Sequence, residues 1–224
     1  VSVEFTVNGA RLTGLSEGAL WWAEEGLLVV SDLHLEKATS LAARGAGLLP
    51  PYDSLETLNR LAALADRLKP RSILALGDSF HDNDGPNRLP EAERMALMRL
   101  TASHDWTWII GNHDPAPDPD LGGRILFEAS FGPLLFRHEA IAYAEGEISG
   151  HFHPKAAVRV RGRRISARCF IEDGSRAILP AFGAYTGGLS VLNPAISCHF
   201  ARGFTAHLIG KSRVVTVPRA ALLQ

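Results

Sequence analysis

The chain has 224 residues, 46% hydrophobic and 21% charged, with a formal net charge of −1 and an isoelectric point near 6.8. That balance fits one soluble globular domain over residues 1–224 and excludes a protein that holds nucleic acid by overall positive charge, although a local basic patch stays open. Two cysteines, Cys169 and Cys198, lack zinc-site spacing and are too few for a disulfide framework, and Val1–Glu4 shows no charged n-region. That cysteine usage makes a reducing cytoplasm the expected compartment, and no apolar run approaches the ~18 residues that span a membrane.

Val1 to Val7 alternates in polarity and reads as a strand, Ala19 to Ala23 is a second apolar run, and Glu25-Gly26 turns into Leu27-Leu28-Val29-Val30. This last run is apolar on both faces, as a central strand is. It ends in Ser31-Asp32-Leu33-His34, and in extended backbone Asp32 and His34 face one way and can bind one ion together. Taken alone, the pair also reads as a capping Asp beside a surface His. Glu36 to Pro51 reads as a loop or short helix over the mouth of the sheet. Asp53-Ser54-Leu55-Glu56 reads as a capping box, and Leu55, Leu58, Leu61, Ala65 and Leu68 keep helical spacing until Pro70. This helix is expected to cover a sheet face and carry no chemistry.

Ser72 to Leu76 is the next buried strand, ending in Gly77-Asp78-Ser79-Phe80-His81. A right-handed parallel crossover places Asp78 beside Asp32 at one sheet edge, and Gly77 leaves room for an ion or another backbone. A helix over roughly Pro90 to Ser103 leads to the strand Trp106–Ile110 and to Gly111-Asn112-His113-Asp114, with Pro115, Pro117 and Pro119 holding the loop open. An amide oxygen, an imidazole and a carboxylate thus come side by side at one mouth. Gly-Asn alone is also a turn signal, but three successive βα units each end in metal-competent side chains, which makes a shared site the better reading.

From Arg124 onward the helical period gives way to short strands. Pro133 to Arg137 ends in His138, and Glu147-Ile148-Ser149 ends in Gly150-His151-Phe152-His153, where the period of two again puts both imidazoles on one face. Ala156 to Cys169 reads as a hairpin turning at Gly162-Arg163, with further strands at Arg176–Leu179, Ala206–Ile209 and Arg213–Val217. That turn puts Val158, Val160, Ile165 and Ala167 toward the core and Arg159, Arg161, Arg164 and Arg168 on the other face, Arg161 opposite Arg164. The arginines read either as a solvated edge that blocks aggregation or as a ridge that tracks phosphates, with Arg159, Arg161 and Arg164 as nucleic-acid contacts. The second half is expected to form a second sheet packed on the first.

The ordered set Asp32-x-His34, Gly77-Asp78, Gly111-Asn112-His113-Asp114, His138 and Gly150-His151-x-His153 resembles the calcineurin-like metallophosphoesterase superfamily. The resemblance implies an α/β fold, a four-layer α/β/β/α sandwich of two mixed sheets with outer helices. Ser31–Lys37, Leu48–Tyr52, Gly77–Asp82 and Pro180–Gly188 look further like the bacterial ligase-associated DNA damage response endonucleases. Carried over residue by residue, the resemblance implies one metal on Asp32, His34 and His153 and a second on Asn112, His138 and His151, with Asp78 bridging. His138 departs from the pattern, since Arg137 stands where the superfamily often has Gly. Carboxylate, amide and imidazole donors without thiolate suit Mn²⁺, Fe²⁺ or Zn²⁺, with Mn²⁺ the first expectation.

The implied enzyme is a di-metal phosphodiesterase that hydrolyses by in-line attack of a metal-bridging hydroxide, with His113 protonating the leaving oxygen or stabilising its charge. His81, three residues after Asp78, is similar in spacing to a phosphate-side histidine in the nuclease subunit of the double-strand-break repair complex; the plainer reading is a loop histidine solvated beside Asp82 and Asp84. His104, His199 and His207 have no motif around them and read as structural or surface. The resemblance implies DNA as substrate, repair as setting, endonuclease action, and functional association with an ATP-dependent DNA ligase, a helicase and an exonuclease. A phosphatase or diesterase for a small nucleotide or phosphosugar uses the same site, and a non-catalytic scaffold of this fold is the alternative of another class.

Overall fold

A computed structural model of the chain describes residues 1–211 and 213–223. The first half lays down β1 (Ser2–Val7), β2 (Ala10–Leu15), β3 (Leu20–Trp22), β4 (Leu27–Val30), α1 (Lys37–Ala43), α2 (Asp53–Leu68), β5 (Ser72–Leu76), α3 (Gly85–Arg88), α4 (Glu91–Ser103), β6 (Asp105–Ile109) and β7 (Arg124–Leu126). The second half adds β8 (Glu128–Phe131), β9 (Leu134–Arg137), β10 (Glu147–Ser149), β11 (Pro154–Val160), β12 (Arg163–Glu172), β13 (Arg176–Ile178), β14 (Leu189–Ser190), α5 (Pro194–Ser197), β15 (Thr205–Ile209) and β16 (Val214–Pro218).

Strands β1 to β7 form one sheet in chain order, antiparallel to β4 and parallel from β4 onward. The second sheet runs β14-β11-β12-β13-β10-β9-β8, with β15 on β12 and β16 on β15. Alternation along the parallel strands divides the core. Leu28, Val30, Ile73 and Ala75 pack under Leu58, Leu61 and Leu64 of α2 and Leu97 and Leu100 of α4, while Leu27, Val29, Leu74 and Leu76 meet Phe136, Ile148, Ala177 and Leu179 of the second sheet. Each such side chain contributes about 1.5–3 kcal/mol by leaving water. A third cluster, with Cys169, Ile171, Ile178, Ile196, Phe200 and Phe204, lies on the outer face of the second sheet. That fourth layer is thin: among the described residues its helix is the one-turn α5.

Sequence reasoning overlooked β2, although Asn8-Gly9, with φ 46° and 85°, supplies the left-handed corner that closes the β1–β2 hairpin. Asp53 and Ser54 correct the capping-box expectation. Tyr52 takes the N-cap position of α2 without a side-chain bond, while Asp53 Oδ2 accepts from the Lys37 and Ala38 amides at 2.8 and 3.1 Å and so caps the neighbouring α1. Leu55 is 41% exposed and lies off the buried stripe.

Candidate metal centre

The loops after β4 and β5 leave the sheet at one edge and are stitched together by backbone hydrogen bonds, and the loop after β6 joins them through the Asp78 and Asp114 carboxylates. The Asp32 and His34 amides donate to the Gly77 and Asp78 carbonyls at 3.2 and 2.9 Å, and the Leu35 amide donates to Ser79 at 2.9 Å. On the other side the Phe182 and Gly183 amides donate to the Ser31 and Asp32 carbonyls at 2.7 and 3.1 Å. Helix α2 fixes that backing segment, with Arg60 donating to the Phe182 carbonyl and Thr57 Oγ1 accepting from the Ala184 amide, so the helix expected to be inert supports the site.

The backbone does not place the candidate ligands by a strand pleat. Asp32, His34, Asp78, His151 and His153 lie beyond the strand ends with φ of 53°, 43°, 48°, 68° and 47°. Left-handed backbone costs a residue with a Cβ roughly 1–3 kcal/mol, and such strain gathers where surroundings over-determine it. Two glycines provide the close approach: a Cβ on Gly77 would come within 2.2 Å of His138 Nδ1, and one on Gly150 within 1.7 Å of Ser31 Oγ.

The side chains form two groups. In the first, His153 Nε2 lies 3.1 Å from His34 Nε2 and 3.3 Å from Asp32 Oδ1. In the second, His138 Nε2 lies 3.0 Å from Asn112 Oδ1, 3.1 Å from His151 Nδ1 and 3.4 Å from Asp78 Oδ1. The other Asp78 oxygen, Oδ2, lies 3.8 Å from His34 Nε2, so one carboxylate faces both groups. Asp32, His34, His153 and Asp78, His138, His151 each have the compactness of a set that could hold an ion.

The donor chemistry fits a cation. His138 Nδ1 lies 3.1 Å from the Leu76 carbonyl, and the tautomer that donates there turns an Nε2 electron pair toward three other acceptor atoms. Ligand atoms about 2.1 Å from one ion stand about 3.0–3.4 Å from each other, which matches these spacings. The electrostatics agree. Burial opposes a charge on His138, yet the Asp78 hydrogen bond and the Asp32 and Asp78 carboxylates raise it to about 9, so the pocket draws positive charge to Nε2. Burial pushes His34 down to about 3 and keeps it a neutral imidazole. Asp32 and Asp78 stay well below the usual carboxylate range against their burial, Asp32 through its bond to His153 and Asp78 through His138.

Asp32 is held by its neighbours: Ser31 Oγ and the His151 amide donate to its Oδ2, the latter at 3.0 Å. Glu139, 3.8 Å from His151 Nε2, faces the ring nitrogen opposite the cluster. Neither Ser31 nor Glu139 was singled out in the sequence, although each adjoins a candidate ligand.

His113 lies beside the cluster, its ring 5.1 Å from that of His34, and its amide donates to Asp78 Oδ1 at 2.9 Å. His81 does not sit in solvent beside Asp82 and Asp84. Its Nδ1 is 3.3 Å from His34 Nδ1 and its ring stacks on His113 at 5.1 Å, while burial pushes it down to about 4. Asp114 corrects the picture of three groups at one mouth. It is buried, and its Oδ2 accepts from the Ser79 and Phe80 amides at 2.7 and 3.1 Å, shaping the loop after Asp78.

The hairpin differs in register from the expectation. The turn is Arg161-Gly162, with φ 49° and 80°, and Arg159 pairs with Arg164. Arg161 therefore leaves the expected row, and Val160 and Ile165, 44% and 47% exposed, lie beyond the core. Arg168 is tied to the Ala181 and Glu17 carbonyls at 3.0 and 2.8 Å. His207 is buried against Phe5, as a structural histidine is, and Cys169 and Cys198 are free.

Residues 27–166 match the family model of the calcineurin-like phosphoesterases. None of the curated protein sequences compared with the chain matches it. Among solved structures, nuclease MPE of Pseudomonas putida is 24% identical with a TM-score of 0.77, over 97% of this chain and 100% of that one. Yfce, a phosphoesterase from E. coli, is 16% identical with a TM-score of 0.45, over 86% of this chain and 98% of that one. The first likeness establishes a shared fold.

Proposed function

The chain belongs to the calcineurin-like phosphoesterase family and is a hydrolase of phosphoester bonds, and on that footing we propose that it cleaves phosphodiester bonds in DNA with two divalent cations, Mn²⁺ foremost. The observation that carries the two-ion reading is Asp78, whose Oδ1 faces His138 while its Oδ2 faces His34. Asp32, His34 and His153 would hold one ion and Asn112, His138 and His151 the other, with Asp78 between. Bound there, the cations supply activation of water for attack on phosphorus and neutralisation of developing charge.

The chain's own residues do the rest. Ser31 and the His151 amide fix the orientation of Asp32, and the Leu76 carbonyl fixes that of His138. The His81 carbonyl, 2.9 Å from His113 Nδ1, accepts a hydrogen bond from Nδ1–H and leaves Nε2 as the nitrogen that, in the imidazolium form, gives its proton to the leaving oxygen. DNA as substrate is favoured by the motif resemblance and accords with the nuclease whose fold this chain shares. Action within a repair set that includes an ATP-dependent DNA ligase, a helicase and an exonuclease follows from the same resemblance.

The test is hydrolysis of bis-(p-nitrophenyl) phosphate against p-nitrophenyl phosphate in Mn²⁺, then cleavage of single-stranded DNA. Diester preference with DNA cleavage is expected; monoester preference without DNA cleavage would shift the reading to a small phosphorylated substrate.

A further inference from the structure

A groove of about 390 Å³ opens beside His153, lined by Lys155, Ser166, Arg168, Ala181 and Thr186. Strand β11 forms one wall and continues directly from the candidate ligand. Its register sets Lys155 opposite Arg168, Ala157 opposite Ser166 and Arg159 opposite Arg164. Residues paired this way share a face, so one face of the hairpin carries a cationic pair at each end with small side chains between. Like charges placed opposite each other destabilise an antiparallel pair unless an anion or solvent offsets them.

The two cations nearest the centre are differently engaged. Arg168 is committed to the Ala181 and Glu17 carbonyls. Lys155 is half-buried, and among the described residues its ammonium has no hydrogen-bond or ion-pair partner. Its stem nonetheless has a defined course. A Cβ on residue 188 would come within 2.7 Å of Lys155 Cγ and Cδ, so Gly188 provides the space in which the stem lies. A positioned stem, an unmatched ammonium and an open groove beside His153 are the features by which a protein receives an anion.

We propose that this groove binds the backbone of a nucleic-acid strand beside the scissile bond, with Lys155 holding a flanking phosphate and Arg159, about 13 Å further along β11, holding one beyond it. The proposal rests on the phosphodiesterase reading above and deepens it, because a nucleoside monophosphate or a phosphosugar carries no further phosphate about 13 Å along the strand to place beside Arg159. It also accounts for how a chain of net charge −1 can hold a polyanion through a local stripe.

The test compares Lys155→Gln and the Lys155→Gln, Arg159→Gln double variant with the unaltered protein in Mn²⁺. The kcat/KM for a single-stranded oligodeoxynucleotide, divided by that for bis-(p-nitrophenyl) phosphate, should fall about tenfold in Lys155→Gln, and Lys155→Arg should retain most of it. The log–log dependence of oligonucleotide affinity on salt should flatten by roughly 0.7 in the single variant and roughly 1.4 in the double. Equal losses on both substrates, an unchanged salt slope, or loss of bound metal showing that Lys155 acts through His153, would each overturn the groove. Failure of the unaltered protein to cleave or bind the oligonucleotide would instead overturn the DNA reading beneath it.

Discussion

His113 Nδ1 lies 2.9 Å from the backbone carbonyl of His81. A carbonyl only accepts, so it holds a proton on Nδ1 and leaves Nε2, which carries a second proton in the imidazolium form, to serve the leaving oxygen. His113→Ala should therefore lower turnover by about 10²–10⁴-fold while bound metal stays unchanged, since the bond from its backbone amide to Asp78 survives the substitution. Metal analysis beside steady-state kinetics checks it. Loss of metal together with activity would make His113 a ligand instead.

Asp78 should show the opposite pattern. With one oxygen toward His138 and the other toward His34, its removal affects both groups at once. Asp78→Ala is expected to abolish activity and to lose metal, and excess Mn²⁺ should not restore it. EDTA should abolish the activity of the unaltered protein and Mn²⁺ should return it. Full turnover in the stripped protein would rule out a metal-dependent reaction.

Gly77→Ala tests the site without touching a ligand. Its Cβ would fall within 2.2 Å of His138 Nδ1, and φ is +78°, so the imidazole must leave its bond to the Leu76 carbonyl. Losing such an outer hydrogen bond typically costs 10–100-fold in metal affinity. Titration with Mn²⁺ should show weakening of that order at one of two sites; two unweakened sites would mean that His138 is free to move without consequence.

The parallel strands were legible because Leu27–Val30, Ser72–Leu76 and Trp106–Ile109 are short apolar runs separated by helical spacing, and the crossover rule then orders them. Asp32, His34, Asp78 and Asn112 were legible for the same reason, since each follows one of those runs, while His138, His151 and His153 follow the short β9 and β10. Their backbone was not. Asp32-x-His34 and His151-x-His153 read as pleated pairs, yet all four residues are left-handed, a conformation fixed by neighbouring loops such as Gly77–Ser79 and Phe182–Gly183. The hairpin slipped by one position because Arg161-Gly162 and Gly162-Arg163 are both plausible corners, and only the strand partners fix which is used. Asp53 misled because its carboxylate serves a helix sixteen residues earlier in the chain.

That link makes Asp53→Ala a local test. Without its carboxylate the Lys37 and Ala38 amides lose their acceptor, at a cost of about 1 kcal/mol to α1. Amide hydrogen exchange across Lys37–Ala43 should speed up by about fivefold, with α4 unaffected. Uniform acceleration in both helices would point to global destabilisation instead.

His81 has two roles that kinetics can separate. Its carbonyl fixes His113 and survives any side-chain substitution, whereas its ring touches both His34 and His113. A ring that contacts substrate phosphate should affect KM. A ring that orients His34 should affect metal affinity and kcat, because a hydrogen bond at His34 Nδ1 sets whether its Nε2 presents an electron pair or a proton. The 3.3 Å contact to His34 favours the second. His81→Ala should thus weaken Mn²⁺ binding by about tenfold or more and lower kcat at subsaturating metal, with KM for bis-(p-nitrophenyl) phosphate little changed. A raised KM at unchanged metal affinity would place the ring against the phosphate, as the spacing from Asp78 first suggested.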